Sequence, residues 1–330
     1  MSNVYRRIMA AVALAALLAV IPGVQAGGPP RIRVAVTVPY MAYIVKAIGG
    51  PYVEVDSIIP PGADPHTYSP PASMVARLDS YDLIVMSGPR HMKAEDVILS
   101  WRGRGLLRHP LILYYENYTS CGLELLAFKG HVNPHGYWWG PRSVAVISSC
   151  IGRALAEADP SHADWYMARA RLYSSEALGL AGSLRGLRVA AYSPIVQYFI
   201  NETGASLVYV ASPSPGSEPD PRVISEVTRL YEEGRIDAFV ATSVDVMFSR
   251  SASAVVKDLQ SRGVPAIVLP IGEPGVDILT TLSESVGILS SLKAPRPAAR
   301  GRPLSCGWGV AVASFALGAA VVGAWARRAY

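Results

Sequence analysis

Eight short apolar runs punctuate the chain. Four come early: IRVAVTV (32–38), VEVDSII (53–59), DLIVMSG (82–88) and LILYYEN (111–117). Four come late: RVAAYS (188–193), ASLVYVAS (205–212), IDAFVATS (236–243) and AIVLPIG (266–272). Each is rich in β-branched residues and continuous rather than alternating in apolar character, the pattern of strands buried on both faces of a parallel sheet. Helix-like stretches such as VISEVTRLYEEG (223–234) separate them. Strands alternating with helices predict α/β units, one set in each half of the chain.

Between the halves, Tyr166, Ala170, Tyr173, Ala177, Leu180 and Leu184 recur at steps of four and three. They form a stripe along one helix face, predicted over 161–185. The stripe is too short and too weakly apolar for a coiled coil, so it reads as one helix joining two lobes. The expected fold is therefore α/β, with two lobes that each carry a parallel four-stranded sheet, one long interlobe helix, and a C-terminal transmembrane helix. The lobes are expected at 27–160 and 186–292. The halves share an element order but no repeat visible by residue identity.

The chain ends supply the transmembrane expectation. Residues 1–26 begin with Arg6 and Arg7, continue through an apolar run and close on Val24-Gln25-Ala26, the form of a secretory signal peptide. Residues 306–326 carry no charge and as a helix would span about 30 Å of hydrocarbon, so a transmembrane helix is expected over 304–326. Arg327 and Arg328 in the tail 327–330 agree with a cytoplasmic end, while the Pro/Arg-rich stretch 293–303 reads as a tether. The expected location is extracytoplasmic, anchored to the cell membrane by that helix.

The net charge of +5, from 30 basic and 25 acidic residues, comes mostly from these ends. Without Arg6, Arg7, Arg327 and Arg328 the balance is 26 against 25, so no basic field remains to hold nucleic acid. Of three cysteines, Cys121 and Cys150 fall in the exported part, where a disulfide or two buried thiols are both open readings. There is no CxxC pair to suggest a cysteine metal site.

Polar residues past the strand ends carry the candidate chemistry, because ligands of open parallel sheets gather at the carboxyl ends of strands. His66 (GADPHTYSP, 62–70) follows the second early run, and His135 (NPHGYWWGPR, 133–142) follows the fourth. Ser193 ends the first late run, and Glu273 (PIGEPG, 270–275) follows the fourth. Two imidazoles and a carboxylate suit Zn²⁺ or Mn²⁺, borderline ions that accept nitrogen and oxygen donors. His91, His109 and His162 read as surface or helix-end residues, and Asp277 as a helix-start carboxylate. Trp138 and Trp139 wall the cleft or pack on the next helix. Asn117 and Asn201 fit the glycosylation sequon.

At these residues the chain resembles the metal-binding receptors of ABC transporters, the zinc/manganese uptake family of solute-binding proteins. GADPHTYSP matches the family loop G-x-D-P-H-x-[YF]-x-P throughout. NPHGYWWGP keeps N-P-H and a tryptophan of N-P-H-x-W-x-x-P, with the tryptophan and proline displaced by one position. FVATSVDVMFSRSASAVVKDL (239–259) and the acidic, proline-bearing loop at 214–221 are also similar, and the likeness covers about 32–292. The resemblance implies metal ligands at His66, His135, Glu273 (an aspartate in the family) and Ser193 (a glutamate or histidine there). Serine is a poor zinc ligand unless deprotonated, so water, Asp64 or His131 are alternative donors.

The implied function is a monomeric receptor, not an enzyme. It takes Zn²⁺ or Mn²⁺ as transported ligand between two lobes and hands it to an ABC permease with its ATPase. Protons compete for imidazole, so affinity should fall as pH drops toward about 6. An exported metalloenzyme with the same two-His, one-carboxylate set is an alternative, although no HExxH, G-x-S-x-G or P-loop pattern occurs. A surface adhesion or scaffold protein with a structural metal is another.

Overall fold

In the computed structural model, residues 31–292 are described, apart from 61, 62, 65, 89–91, 215 and 216. The expected signal peptide (1–26), tether (293–303), membrane helix (304–326) and tail (327–330) lie outside the described residues, as does His91. Among the described residues no helix is long and apolar enough to cross a membrane.

The first half runs β1 (Ile32–Val36), α1 (Pro39–Gly49), β2 (Val53–Ser57), α2 (Met74–Asp79), β3 (Leu83–Val85), α3 (Lys93–Gly103), β4 (Leu111–Leu113) and α4 (Tyr115–Ser120). A small antiparallel hairpin, β5 (Ala127–Phe128) and β6 (His131–Val132), precedes α5 (Pro141–Ala158) and α6 (Ala163–Gly179). The second half runs β7 (Arg188–Ala191), α7 (Gln197–Glu202), β8 (Ser206–Val210), α8 (Val223–Glu232), β9 (Ala238–Thr242), α9 (Ser243–Phe248), α10 (Ala252–Ser261), β10 (Ala266–Leu269) and α11 (Ile278–Ser291).

All eight apolar runs form strands, and every pairing within the two four-stranded sheets is parallel. The first sheet is ordered β2-β1-β3-β4 and the second β10-β9-β7-β8. The inner strands are the most buried: all of β3 and all of β9 are inaccessible, whereas the edge strands β2 and β8 expose half-polar faces. In each sheet the chain moves first to one side of its opening strand and then to the other. That reversal lies between β1 and β3 in one lobe and between β7 and β9 in the other, and it opens a crevice at the carboxyl ends of those strands.

The two halves repeat at the level of contacts. Arg33, the second residue of β1, exchanges hydrogen bonds with Asp82, whose Oδ2 accepts from the Arg33 backbone N–H at 2.7 Å while its own N–H donates back at 2.9 Å. Arg188 and Asp237 do the same in the second lobe, at 2.9 and 2.7 Å. Arg188 and Asp237 each lie 155 residues after Arg33 and Asp82. The longest run that the two opening strands share is Arg-Val-Ala, too short for residue identity alone to reveal the repeat.

Between the lobes, α5 and α6 pack against each other and feed one continuous core that includes residues from both sheets, such as Val36, Val85, Val189 and Val240. The outer face of each sheet has its own separate cluster. The helix expected over 161–185 ends at Gly179. Gly182 and Gly186 then take positive φ (76° and 84°), turning the chain into β7. Leu184 is still fully buried, so the apolar stripe continues through the turn after the helix has stopped. A Cys121–Cys150 disulfide ties the end of α4 to α5, with Cα atoms 6.1 Å apart.

The lobes are stitched along a polar seam. Asn133 Nδ2 donates to Pro194 O (3.0 Å) and to Gln197 Oε1 (2.9 Å), and Tyr198 Oη donates to Asn133 O (2.7 Å). Glu202, on α7, accepts from the Arg142 N–H (2.6 Å), the Ser143 N–H (3.0 Å) and Ser143 Oγ (2.6 Å), capping the start of α5.

Candidate metal centre

The two histidines stand on matching turns. In Asp64-Pro65-His66, Asp64 Oδ1 accepts from the His66 N–H at 2.9 Å; in Asn133-Pro134-His135, Asn133 Oδ1 accepts from the His135 N–H at 3.0 Å. These are Asx turns, in which a short polar side chain bonds its own backbone two residues on. The asparagine also anchors the interlobe seam, so one side chain both shapes the His135 turn and fixes it to the second lobe.

Gly136, immediately after His135, has φ +76° and packs so closely on Ile195 O that a Cβ there would overlap that carbonyl. Tyr137 Oη donates to Ser87 O, and Trp138 and Trp139 follow as a buried turn. The imidazoles of His66 and His135 then meet edge to face, with ring centres 5.5 Å apart and planes at 68°. His135 is half-buried and His66 exposed.

Both rings line a cavity of about 540 Å³. Its other walls are mostly apolar and aromatic: Tyr40, Tyr43, Trp138, Trp139, Ile195 and Phe248. Tyr40 and Trp139 pack as a T, 5.0 Å between centres, and Tyr40 Oη donates to Gly272 O (3.3 Å) across the lobes. Both tryptophans therefore wall the cavity. Asp64 also lines it.

Glu273 and Ser193 are not among the described residues that line this cavity, so two of the four expected ligands are brought together. Glu273 is exposed on the turn after β10, just before the lining residues Pro274 and Gly275. Ser193 is fully buried, and its hydroxyl donates to Asp245 Oδ1 at 2.5 Å. Among the described residues no three or more His, Cys, Asp or Glu are grouped to hold a metal.

The bond at Ser193 belongs to a device present in both lobes. In the first, Thr37 Oγ1 (2.6 Å), the Ser87 N–H (2.7 Å) and Ser87 Oγ (3.0 Å) all donate to Glu95 Oε1. In the second, Ser193 Oγ, the Thr242 N–H (2.8 Å) and Thr242 Oγ1 (2.8 Å) donate to Asp245. Each carboxyl is the third residue of its helix, α3 or α9, and closes the crevice between the two strands where the chain reverses direction. Thr242 lies 155 residues after Ser87, the same offset as the Arg–Asp pairs. Burial raises both carboxyls above the usual carboxylate range despite these hydrogen bonds.

The remaining described candidates do not line the cavity. His131 is exposed on the hairpin strand β6. His109 lies 3.6 Å from Asp79, and His162 lies 2.6 Å from Asp159 and stacks on Tyr52. Asp277 caps α11, accepting from the Leu279 N–H at 2.8 Å and from Tyr173 Oη at 3.0 Å. Asn117 Oδ1 caps the start of α4, accepting from the Tyr114 N–H at 3.0 Å.

A two-lobed α/β frame with an imidazole pair lining the cavity between the lobes is the arrangement that the family resemblance implies. Residues 34–285 match the family described as "Zinc-uptake complex component A periplasmic" (ZnuA), and the chain belongs to it. That family comprises metal-binding substrate-binding proteins of ABC transporters. Over 259 residues the chain is 24% identical to the metal ABC transporter substrate-binding lipoprotein FimA of Streptococcus parasanguinis, covering 73% of this chain and 81% of the relative. It is 26% identical over 155 residues to the iron-binding protein YfeA of Yersinia pestis, spanning about half of each (47% and 48%). Among solved structures it is similar to the substrate-binding protein FpvC of Pseudomonas aeruginosa in complex with Mn²⁺. That likeness has TM-score 0.60 and 25% identity, over 79% of this chain and 96% of that one.

Proposed function

We propose that this protein captures a divalent transition metal, Zn²⁺ or Mn²⁺, in its interlobe cleft outside the cytoplasm and delivers it to an ABC permease with its ATPase. The single observation that carries this is the His66–His135 pair. Two imidazoles sharing one ion through bonds of about 2.0–2.1 Å at roughly tetrahedral angles hold their ring centres about 5 Å apart. The 5.5 Å found here is close to that spacing without any rearrangement.

In this reading His66 and His135 are the primary ligands. Glu273 supplies a carboxylate from the second lobe when its exposed turn folds over the cavity. Ser193 acts through Asp245, bracing the end of β7 under the cleft. The seam around Asn133 keeps the lobes from swinging far, so loading and release run through the loops that carry His66 and Glu273. Segment 304–326 is the proposed membrane tether, raising the effective concentration of a monomeric receptor near its permease.

Calorimetry on the full chain in detergent tests the reading. Chelator-stripped protein should bind Zn²⁺ or Mn²⁺ at 1:1 with submicromolar affinity, and His66→Ala should weaken binding by at least 100-fold, about 2.7 kcal/mol. Folded protein that binds neither ion would overturn it.

A further inference from the structure

Resting on the metal-receptor reading, we propose that Glu95 is a positioning residue for His135, holding the metal-binding turn in place through Ser87 and Tyr137. Glu95 does not line the cavity; it is 2% exposed, behind the first-lobe wall. Its Oε1 accepts from Thr37 Oγ1 (2.6 Å), the Ser87 N–H (2.7 Å) and Ser87 Oγ (3.0 Å). Three donors converge on one oxygen, and removing that oxygen leaves all three buried without their acceptor.

Ser87 passes the constraint on. Its N–H and hydroxyl face Glu95, while its carbonyl accepts from Tyr137 Oη. Tyr137 lies two residues after His135, so two hydrogen bonds and a short piece of backbone join the carboxyl to the histidine turn. Thr37, Ser87 and Tyr137 are all fully buried, and in such surroundings a broken link is not repaired by water.

The same carboxyl gathers the other segments that wall the cavity on this side. Thr37 ends just before Val38 and Pro39, and Met92 stands three residues ahead of Glu95; all three of these neighbours line the cavity. Ser87 Oγ also lies 3.2 Å from Met92 Sδ. The His135 turn is thus held from two directions. Asn133 and Gly136 fix it against the second lobe, and Tyr137 hooks it to the end of β3, which Glu95 holds. Metal binding needs a nitrogen placed to within a few tenths of an ångström, so loss of either hold costs affinity.

The test is a double-mutant cycle read as Zn²⁺ affinity, titrated into the chelator-stripped full chain in detergent. Glu95→Ala and Tyr137→Phe should each raise Kd about tenfold, and the double variant also about tenfold, because both cut one chain of contacts; independent effects would multiply to about 100-fold. Glu95→Gln keeps an oxygen acceptor and should stay within about threefold of the unaltered Kd. Val227→Ala opens a cavity in the separate cluster on the outer face of the second sheet, and should lower stability with Kd unchanged. Tyr137→Phe keeps the ring and its packing, so it decides the matter even where Glu95→Ala does not fold. An unchanged Kd in Tyr137→Phe, or a 100-fold effect in the double variant, would overturn the proposal while the metal-receptor reading stood. Folded, unaltered protein that binds no Zn²⁺ would instead overturn that reading, and this proposal with it.

Discussion

Gly136 concentrates at one residue what holds the cleft together. It adopts a left-handed backbone, which costs an L-residue roughly 1–2 kcal/mol, and it leaves no room for a Cβ beside Ile195 O. The side chain at 136 would have to push back either the His135 turn or the turn after Ser193. Gly136→Ala should therefore lower stability by about 2–4 kcal/mol in urea denaturation and weaken metal binding as well. Equal stability and affinity in the variant would show that the close approach is not needed. DPH and NPH signal a separate device, an Asx side chain that accepts from the histidine N–H two residues on. In each, an Asx side chain and a proline leave the histidine little freedom, so the motif could be read from sequence without knowing the fold. Ser193 could not be read that way, because its partner Asp245 lies 52 residues further along and nothing near Ser193 announces it.

At the scale of elements, the eight strands were legible because their runs are apolar and rich in β-branched residues, as in β3 (LIV) and β9 (AFVAT). The hairpin β5–β6 was not legible, since strands of two residues carry no period; Lys129 and Gly130 at φ 50° and 82° make its turn. The buried carboxyls were not legible either. Glu95 and Thr37 are 58 residues apart and meet only once β1 and β3 are neighbours. These carboxyls make a testable contribution to stability. Burial holds Glu95 and Asp245 above their ordinary values, so the folded state binds their protons more tightly than the unfolded chain. Their contribution is full below about pH 4 and is lost as pH rises through the raised folded values. Glu95→Gln keeps an oxygen acceptor for Thr37 and Ser87 but cannot ionise. Its unfolding free energy should decline less between pH 4 and pH 8 than that of the unaltered protein. Glu95→Ala, which strands three buried donors, should cost about 2–4 kcal/mol at either pH. An unchanged pH slope in the glutamine variant would contradict the assignment.

For the whole molecule, each lobe repeats one device, a reciprocal Arg–Asp pair at its opening strand and a carboxyl closing its crevice. The cavity between the lobes is asymmetric in chemistry: both imidazoles come from the first lobe, and the partly exposed Met247 and Phe248 come from the second. The seam through Asn133 and Glu202 ties the two lobes together by hydrogen bonds. The most direct test of metal capture at this cleft is an anomalous difference map from Zn²⁺-loaded crystals, collected on both sides of the zinc edge. The account predicts one dominant peak about 2.0–2.2 Å from a ring nitrogen of both His66 and His135. A peak bound elsewhere with this pair unoccupied, at saturating zinc, would contradict it.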